Sequence, residues 1–308
     1  MHSSVQTRPA PLWHHPRLHT LWPQLLGALA VLVFSLTIPM TRLAGGTVTE
    51  PALSPWFVAM GRSVLAGLLA AVYLTAVRAP RPTLHQWRAL LGLALGGVFT
   101  FTLCMGWAVR HVPAAHAAVV TGVLPLTTAA LAAWWMGRRP GLRFWLGGAL
   151  GCALVLSYAW WKGYSVGAGG WVAADGWLVL AMFGASSSYV LGAQLSQQLA
   201  PAHVISWVMV GVLPVTVPAA LWCWPDVGVP VASWCAFGYL GVFSSWLGFF
   251  AWYAALARDP MRVSQIQLMQ PFLAMTLAVP LLGEPLEGGT VLVALSVLAV
   301  VVITQRKR

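Results

Sequence analysis

The longest charge-free stretch of the chain, residues 176–225, contains fifty residues and no Asp, Glu, Lys or Arg. A transmembrane helix needs roughly 20 apolar residues, so this stretch is long enough for two helices that each cross a bilayer. The turn between them is marked by Gln194, Gln197, Gln198, Pro201 and His203. A water-soluble domain does not accommodate such a stretch, and the chain is therefore predicted to be a membrane protein.

The rest of the chain has the same character. Of its 308 residues, 59% are hydrophobic and 7% are charged, whereas about a quarter of the residues of a soluble domain are charged. The predicted fold is an all-α integral membrane protein with ten transmembrane helices, between a tail at residues 1–20 and a basic end at 306–308. The predicted spans are 21–41, 54–77, 88–109, 114–136, 143–161, 172–194, 203–224, 232–257, 263–283 and 288–305.

The ninth span carries polar groups that a lipid-facing helix would not tolerate. Gln267 and Gln270 are three residues apart, which places both amides on one helical face. Pro271 follows directly and removes a backbone hydrogen bond. Polar side chains and freed carbonyls at bilayer depth are accepted where they face protein or a wet cavity. This span is therefore predicted to face the interior of the bundle.

The same construction occurs in the first half of the chain. Pro125 stands twelve residues before Gly137, as Pro271 stands twelve before Gly283. Upstream, the sequence GVFT at 97–100 precedes Pro125 as GVFS at 241–244 precedes Pro271. The pattern predicts an internal repeat, with halves at residues 21–165 and 166–305.

The basic residues predict the orientation of the helices. If the N-terminus is cytoplasmic, only Arg42, Arg110 and Lys162 lie in outer connections. Cytoplasmic loops are enriched in Lys and Arg, so both termini are predicted to be cytoplasmic. Five helices in each half then give the halves opposite orientations, an inverted repeat. The basic residues on the cytoplasmic side are Arg8, Arg17, Arg78, Arg81, Arg88, Arg138, Arg139, Arg143, Arg258, Arg262, Arg306, Lys307 and Arg308.

The net charge of +11 does not indicate a nucleic-acid partner, because the charges fall at span ends and not on one continuous face. The four cysteines have no metal-ligand spacing and are interpreted as small buried residues. Neither a metal nor a cofactor is expected. The expected partners are the lipid bilayer and a small-molecule substrate, and the sequence leaves homodimerisation open.

Four segments resemble the EamA-type transporters of the drug/metabolite transporter superfamily: AMGRSVLAGLLAA, GVLPLTTAALAAWWMG, GFFAWYAALAR and LMQPFLAMTLAVPLLGEPL. The resemblance covers nearly the whole chain. It implies two five-helix repeats in the cell inner membrane and export of small metabolites or amino acids by alternating access. It also implies a cavity lined by the first four helices of each half. One departure is Gly137-Arg138, where the family often has Gly-Glu.

Three candidate substrate-binding residues stand out in the first half. Arg62 lies about 12 Å inside the second span, where an arginine is usually retained for a partner or ligand. Snorkelling to the surface or a bond to a helix-end carbonyl is the alternative. Thr121 matches Gln267 across the repeat, and Pro125 matches Pro271, so both are predicted to face the same space from the other half.

The second half contributes six candidates: Ser187, Tyr189, Trp246, Gln267, Gln270 and Pro271. Each has a structural alternative. Serines often bond to their own helix, aromatic residues often face lipid, and amides often bond between helices. The small residues at Gly241, Ser244, Gly248, Ala251 and Ala255 predict a close helix-packing face.

A transporter is the function favoured by these patterns, with an intramembrane enzyme or lipid-modifying protein as the alternative. No catalytic residues are expected, because the predicted spans contain neither paired carboxylates nor a His-x-x-x-His motif. Proton-driven carriers usually use an intramembrane Asp, Glu or His. Asp175, Glu284 and His116 lie towards the outer ends of their spans, which leaves the coupling ion open.

Overall fold

The computed structural model describes residues 16–135, 141–165, 172–225, 228–258, 263 and 266–305. Most of the predicted tail, the predicted basic end and the Arg138-Arg139 pair lie outside these ranges. Within them the chain is helical and forms no β-sheet, only an isolated bridge between Gly46 and Pro51.

The first half contains eight helices in the described residues. They are α1 (Pro16–Ser35), α2 (Thr37–Gly45), α3 (Pro55–Ala76), α4 (Leu84–Leu93), α5 (Thr102–His111), α6 (Ala114–Thr121), α7 (Leu124–Trp135) and α8 (Leu142–Ser165). The second half contains α9 (Ala173–Leu195), α10 (Pro201–Trp222), α11 (Val231–Tyr239), α12 (Gly248–Arg258), α13 (Gln270–Leu282) and α14 (Gly288–Gln305).

Local sequence explains where several helices begin and end. The Ser54 side chain caps α3 by accepting a hydrogen bond from the Phe57 N–H at 3.0 Å. Thr83 and Gln86 form a reciprocal capping box at the start of α4. Helix α13 ends at Gly283, whose φ of 67° is the left-handed conformation that glycine adopts without strain.

Seven of the predicted spans coincide with helical stretches long and apolar enough to cross a membrane: Trp22–Gly45, Pro55–Ala76, Leu84–His111, Ala114–Trp135, Ala173–Leu195, Pro201–Trp222 and Val231–Arg258. The other three correspond to shorter apolar helices, within α8, at Gln267–Leu282 and within α14. The all-helical fold is thus confirmed for the described residues, and seven of their helical stretches are able to cross a membrane. The number of crossings and the inverted orientation of the halves stay predictions.

The two GVF motifs adopt the same unusual conformation. A π-helical segment at Ala94–Phe101 joins α4 to α5, and another at Leu240–Leu247 joins α11 to α12. π-Helical turns are rare and frequently occur at functional sites. The internal repeat seen in the sequence therefore recurs as a repeat in backbone geometry.

Small residues allow the helices around the interior to approach closely. A Cβ added to Gly184 of α9 would lie 2.5 Å from the Gly96 carbonyl oxygen in the first π-helical segment, so only glycine fits there. The interpretation of the cysteines holds for Cys104, which is buried, and is wrong for Cys152 and Cys235, which are exposed. Both occupy helix faces that turn away from the interior, where a weakly polar thiol carries no burial requirement.

Candidate substrate cavity between the two halves

A cavity of about 1020 Å³, including the open space at its mouth, lies between the two halves of the bundle. Its described lining comes from α1 to α7 and the first π-helical segment on one side. On the other side it comes from α9, α10, the second π-helical segment, α12, the turn at Gln267–Met269, and α13. Helices α8 and α14 contribute no residue to this lining and pack against each other. This arrangement agrees with a cavity lined by the first four spans of each half.

Arg62 brings a buried guanidinium to the wall of this cavity. Only 4% of the residue is exposed. Its Nε donates to the Ser245 hydroxyl at 2.7 Å, and its Nη2 donates to the Ser244 hydroxyl at 2.9 Å. Ser244 also bonds to the Thr37 hydroxyl at 2.8 Å.

No carboxylate pairs with Arg62 among the described residues. The partners are neutral hydroxyls, which orient the guanidinium and leave its positive charge uncompensated. A buried charge without a counterion is costly. The wall therefore offers a fixed, pre-oriented site for an anionic group.

Three other polar atoms at the cavity have no hydrogen-bond partner within the described part of the chain. They are the Ser188 hydroxyl oxygen, Gln267 Nε2 and Gln270 Oε1, and all three atoms are buried. Buried polar groups are nearly always paired, so unpaired ones require an explanation. Together they present an amide donor, an amide acceptor and a hydroxyl, which can hydrogen-bond a polar ligand entering the cavity.

One wall of the cavity is aromatic. The rings of Phe34 and Phe249 lie 4.9 Å apart, and Tyr189 packs 6.3 Å from Phe249. Behind them Trp252 lies 5.4 Å from Tyr189. The cavity thus combines a charged polar wall with an apolar one, which suits an amphipathic small molecule.

The two proline breaks meet at this cavity. Before Pro125 the helix is interrupted at Gly122 and Val123, between α6 and α7. Before Pro271 the backbone tightens into a 3₁₀ turn at Gln267–Met269. A Cβ added to Gly122 would lie 3.4 Å from Pro271 Cγ, so the break in one half lies against the break in the other.

Seven of the nine candidate residues line the cavity: Arg62, Thr121, Pro125, Tyr189, Gln267, Gln270 and Pro271. The Thr121 hydroxyl also bonds to the Ala117 carbonyl at 2.8 Å. The other two candidates, Ser187 and Trp246, are absent from the described lining. Ser187 bonds to the Phe183 carbonyl of its own helix at 2.8 Å, and Trp246 donates to the Ser206 hydroxyl at 2.9 Å.

The cavity residues absent from the predicted site include Ser188, Ser244 and Ser245. Ser244 belongs to the predicted packing face, where Gly241 packs on Leu65 and Gly248 on Phe34. The prediction of close helix packing explains Gly241 and Gly248. It does not explain Ser244, whose hydroxyl bonds to Arg62. One signal was present: Ser244 ends the GVFS motif that repeats GVFT, so a hydroxyl recurs at a repeat position.

The comparisons with known proteins point to one family. The profile of the EamA-like transporter family matches residues 21–159 and again residues 172–305. The chain belongs to the EamA-like transporter family. The two matches cover one half of the chain each, and the described part of the cavity lining is drawn from both.

Two proteins similar to this chain carry transporter names without a stated substrate. The chain is 34% identical over 287 residues to "Uncharacterized transporter YdeK" of Bacillus subtilis, covering 92% of this chain and 96% of that protein. It is 25% identical over 279 residues to "Uncharacterized transporter sll0355" of Synechocystis sp., covering 83% of each. A solved crystal structure shares the fold with a TM-score of 0.62 at 18% identity, covering 93% of this chain and 99% of the other.

Proposed function

We propose that this EamA-like protein exports a small metabolite with an anionic group, such as an amino acid, across the cell inner membrane. The observation that carries the proposal is the buried Arg62 guanidinium, which faces a central cavity and has no carboxylate partner among the described residues. The unpaired atoms of Gln267, Gln270 and Ser188 supply hydrogen bonds for the rest of the ligand. The transporter names of the similar proteins support the same class of function.

The proposal includes ten transmembrane helices arranged as two inverted five-helix repeats. Its support is the recurrence of features at matching positions in the halves: the π-helical segments at Ala94–Phe101 and Leu240–Leu247, and the proline breaks at Pro125 and Pro271. Inverted repeats commonly place a substrate site at their interface near the membrane midplane. Rocking of one half against the other would then expose the cavity to each side in turn.

The predicted orientation can be measured with reporter fusions. A reporter that is active only outside the membrane should be active when fused after residues 45, 166 and 226, because few basic residues lie there. It should be silent in the 78–88 and 138–143 connections. A cytoplasm-active reporter at the same positions provides the matched control and should give the opposite pattern. Outer-side activity at residue 139 would contradict the inverted repeat.

The transport function itself is tested by reconstitution. The purified protein is placed in liposomes, and uptake and efflux of a panel of radiolabelled amino acids and small carboxylates are compared with protein-free liposomes. At least one anionic or zwitterionic compound should move faster with the protein present, and matched cations such as polyamines should not. If the protein moves cations and no carboxylate, the assignment of an anionic substrate is wrong.

A further inference from the structure

A buried pair of titratable side chains lies outside the cavity described above. His116 Nε2 on α6 is 2.7 Å from Asp175 Oδ1 on α9, with the two side chains 4% and 1% exposed. His116 belongs to the first family-matched half and Asp175 to the second, so the pair connects the two halves directly.

The pair is connected to the cavity wall by the short helix α6. His116 lies on α6, an eight-residue helix that ends at the break beside Pro271. Thr121, five residues after His116, lines the cavity, a distance of about 7.5 Å along the helix. Further along, the Thr127 and Ser186 hydroxyls join α7 to α9 at 2.8 Å. The cavity wall formed by Thr121 and Pro125 is therefore held between two contacts with the second half.

Other groups fix the pair in place. The Asp175 carboxylate also accepts a bond from the Val172 N–H at 3.3 Å and lies at the N-terminus of α9, where the helix dipole favours an anion. The His116 ring lies 5.2 Å from the Tyr158 ring of α8. The Tyr158 hydroxyl bonds to Thr290 at 3.1 Å.

Charged and titratable groups surround this end of the bundle. Glu287 and Asp175 lie within electrostatic reach of the Tyr158 hydroxyl. The Glu284 carboxylate accepts bonds from the Ala114 and Ala115 N–H groups at the start of α6. Arg42 of α2 lies within electrostatic reach of Glu284 and donates to the Val109 and Val112 carbonyls. Helix α5 ends with Arg110 and His111, and its Cys104 is buried. The described side chains of α7, α14 and the first π-helical segment include no titratable group.

The number of protons on the pair determines its net charge. A neutral imidazole beside an ionised carboxylate has a net charge of −1, and one added proton, on either group, makes the pair neutral. Because the two side chains are 4% and 1% exposed, a net charge of −1 on the pair is more costly in the closed arrangement than zero net charge. Release of the proton is favoured where water reaches the pair, which requires α6 and α9 to separate. Proton occupancy and the separation of the halves are therefore thermodynamically linked.

We propose that His116 and Asp175 form the binding site for a transported proton, taken up from water on one side of the membrane and released to water on the other. This inference rests on the proposed transport function and adds the coupling ion to it. Uptake of one proton neutralises the pair and closes this end of the bundle, and loss of the proton to water accompanies its opening. Binding of substrate in the cavity and binding of the proton at the pair then both influence the same movement of α6 relative to α9.

The conformational part is tested without a substrate. Spin labels are attached at Val48→Cys, in the loop after α2, and at Trp177→Cys, in the first turn of α9, after replacement of the four native cysteines. Both sites are exposed, and pulsed electron resonance gives the distance distribution between them. The relative populations of the distance distribution should shift at least about threefold between roughly pH 5.5 and 8.5. The shift should be smaller in Asp175→Asn and absent when His116→Gln is added to it.

The Asp175→Asn variant removes the carboxylate and keeps a hydrogen-bond acceptor at the same place. Its side-chain oxygen can still accept the bonds from His116 and Val172, so a purely structural pair would leave the folded state and any pH response unchanged. His116→Gln keeps a donor, and together with Asp175→Asn it leaves no titratable group in the pair. A distance distribution that does not respond to pH in the original pair, or that responds equally in both variants, overturns the proposal.

The coupling part uses the compound identified in the transport panel and liposomes filled with a pH-sensitive dye. Movement of the compound should move protons, and Asp175→Asn should reduce the number of protons moved per molecule of compound by at least about tenfold. Transport without proton movement overturns the inference and leaves the transport function standing. If the panel yields no substrate, the transport function fails, and the distance measurement still decides whether the pair is a proton switch.

Discussion

Arg62→Lys is expected to reduce transport sharply while the protein still inserts and folds. Lysine keeps the positive charge but loses the planar fork that bonds to Ser244 and Ser245, so the charge is no longer held at a fixed place in the cavity wall. One charge-assisted hydrogen bond contributes about 1.5–3 kcal/mol, which corresponds to a loss of roughly 10- to 100-fold in substrate affinity or transport rate. Arg62→Ala should lose at least as much.

The measurement is initial-rate transport in liposomes, with the amount of folded protein checked by size-exclusion chromatography. Arg88→Lys is the matched control, because Arg88 is exposed and absent from the cavity lining; it should transport as the unmodified protein does. Ser245→Ala removes one orienting hydroxyl and should give an intermediate loss. Unchanged transport by a folded Arg62→Ala protein would reduce this arginine to a structural role.

The broad fold was predictable because membrane insertion imposes strong constraints on sequence. A span requires about 20 apolar residues, and a buried amide or proline at that depth needs an interior environment. These rules predict where the helices lie along the sequence. They also predict that Gln267, Gln270 and Pro271 face the interior of the bundle. The repeat placed Thr121 and Pro125 opposite them.

The details of the cavity were less predictable, because a helical wheel does not show which neighbour a side chain meets. Ser186, Ser187 and Ser188 are adjacent in sequence, yet one bonds to Thr127, one to its own helix, and one faces the cavity. Trp246 is buried against Ser206 because α10 lies beside it. The close contact of His116 with Asp175 depends on how the halves pack, which no local pattern in either segment specifies.

Gln270→Cys is expected to react with a membrane-impermeant thiol reagent and to be protected by substrate. Gln270 lines the cavity and has an amide oxygen with no partner in the described part of the chain, so water should reach a cysteine placed there. The experiment uses a protein in which Cys104, Cys152, Cys223 and Cys235 have been replaced. Labelling is followed by the mass shift of the protein over time, and transported substrate should slow it at least about tenfold.

Two control variants distinguish reaction of the thiol inside a water-filled cavity from reaction of any exposed thiol. Val48→Cys lies in an exposed loop and should label fully with or without substrate. Val279→Cys lies on the same helix as Gln270, nine residues further on and so on the opposite face, where it should meet lipid and stay unreactive. Substrate protection of Gln270→Cys alone would place the ligand at the proline breaks. If Gln270→Cys is as inert as Val279→Cys in every transport condition, the amides of the ninth span are helix-packing groups, and the ligand must bind elsewhere around Arg62.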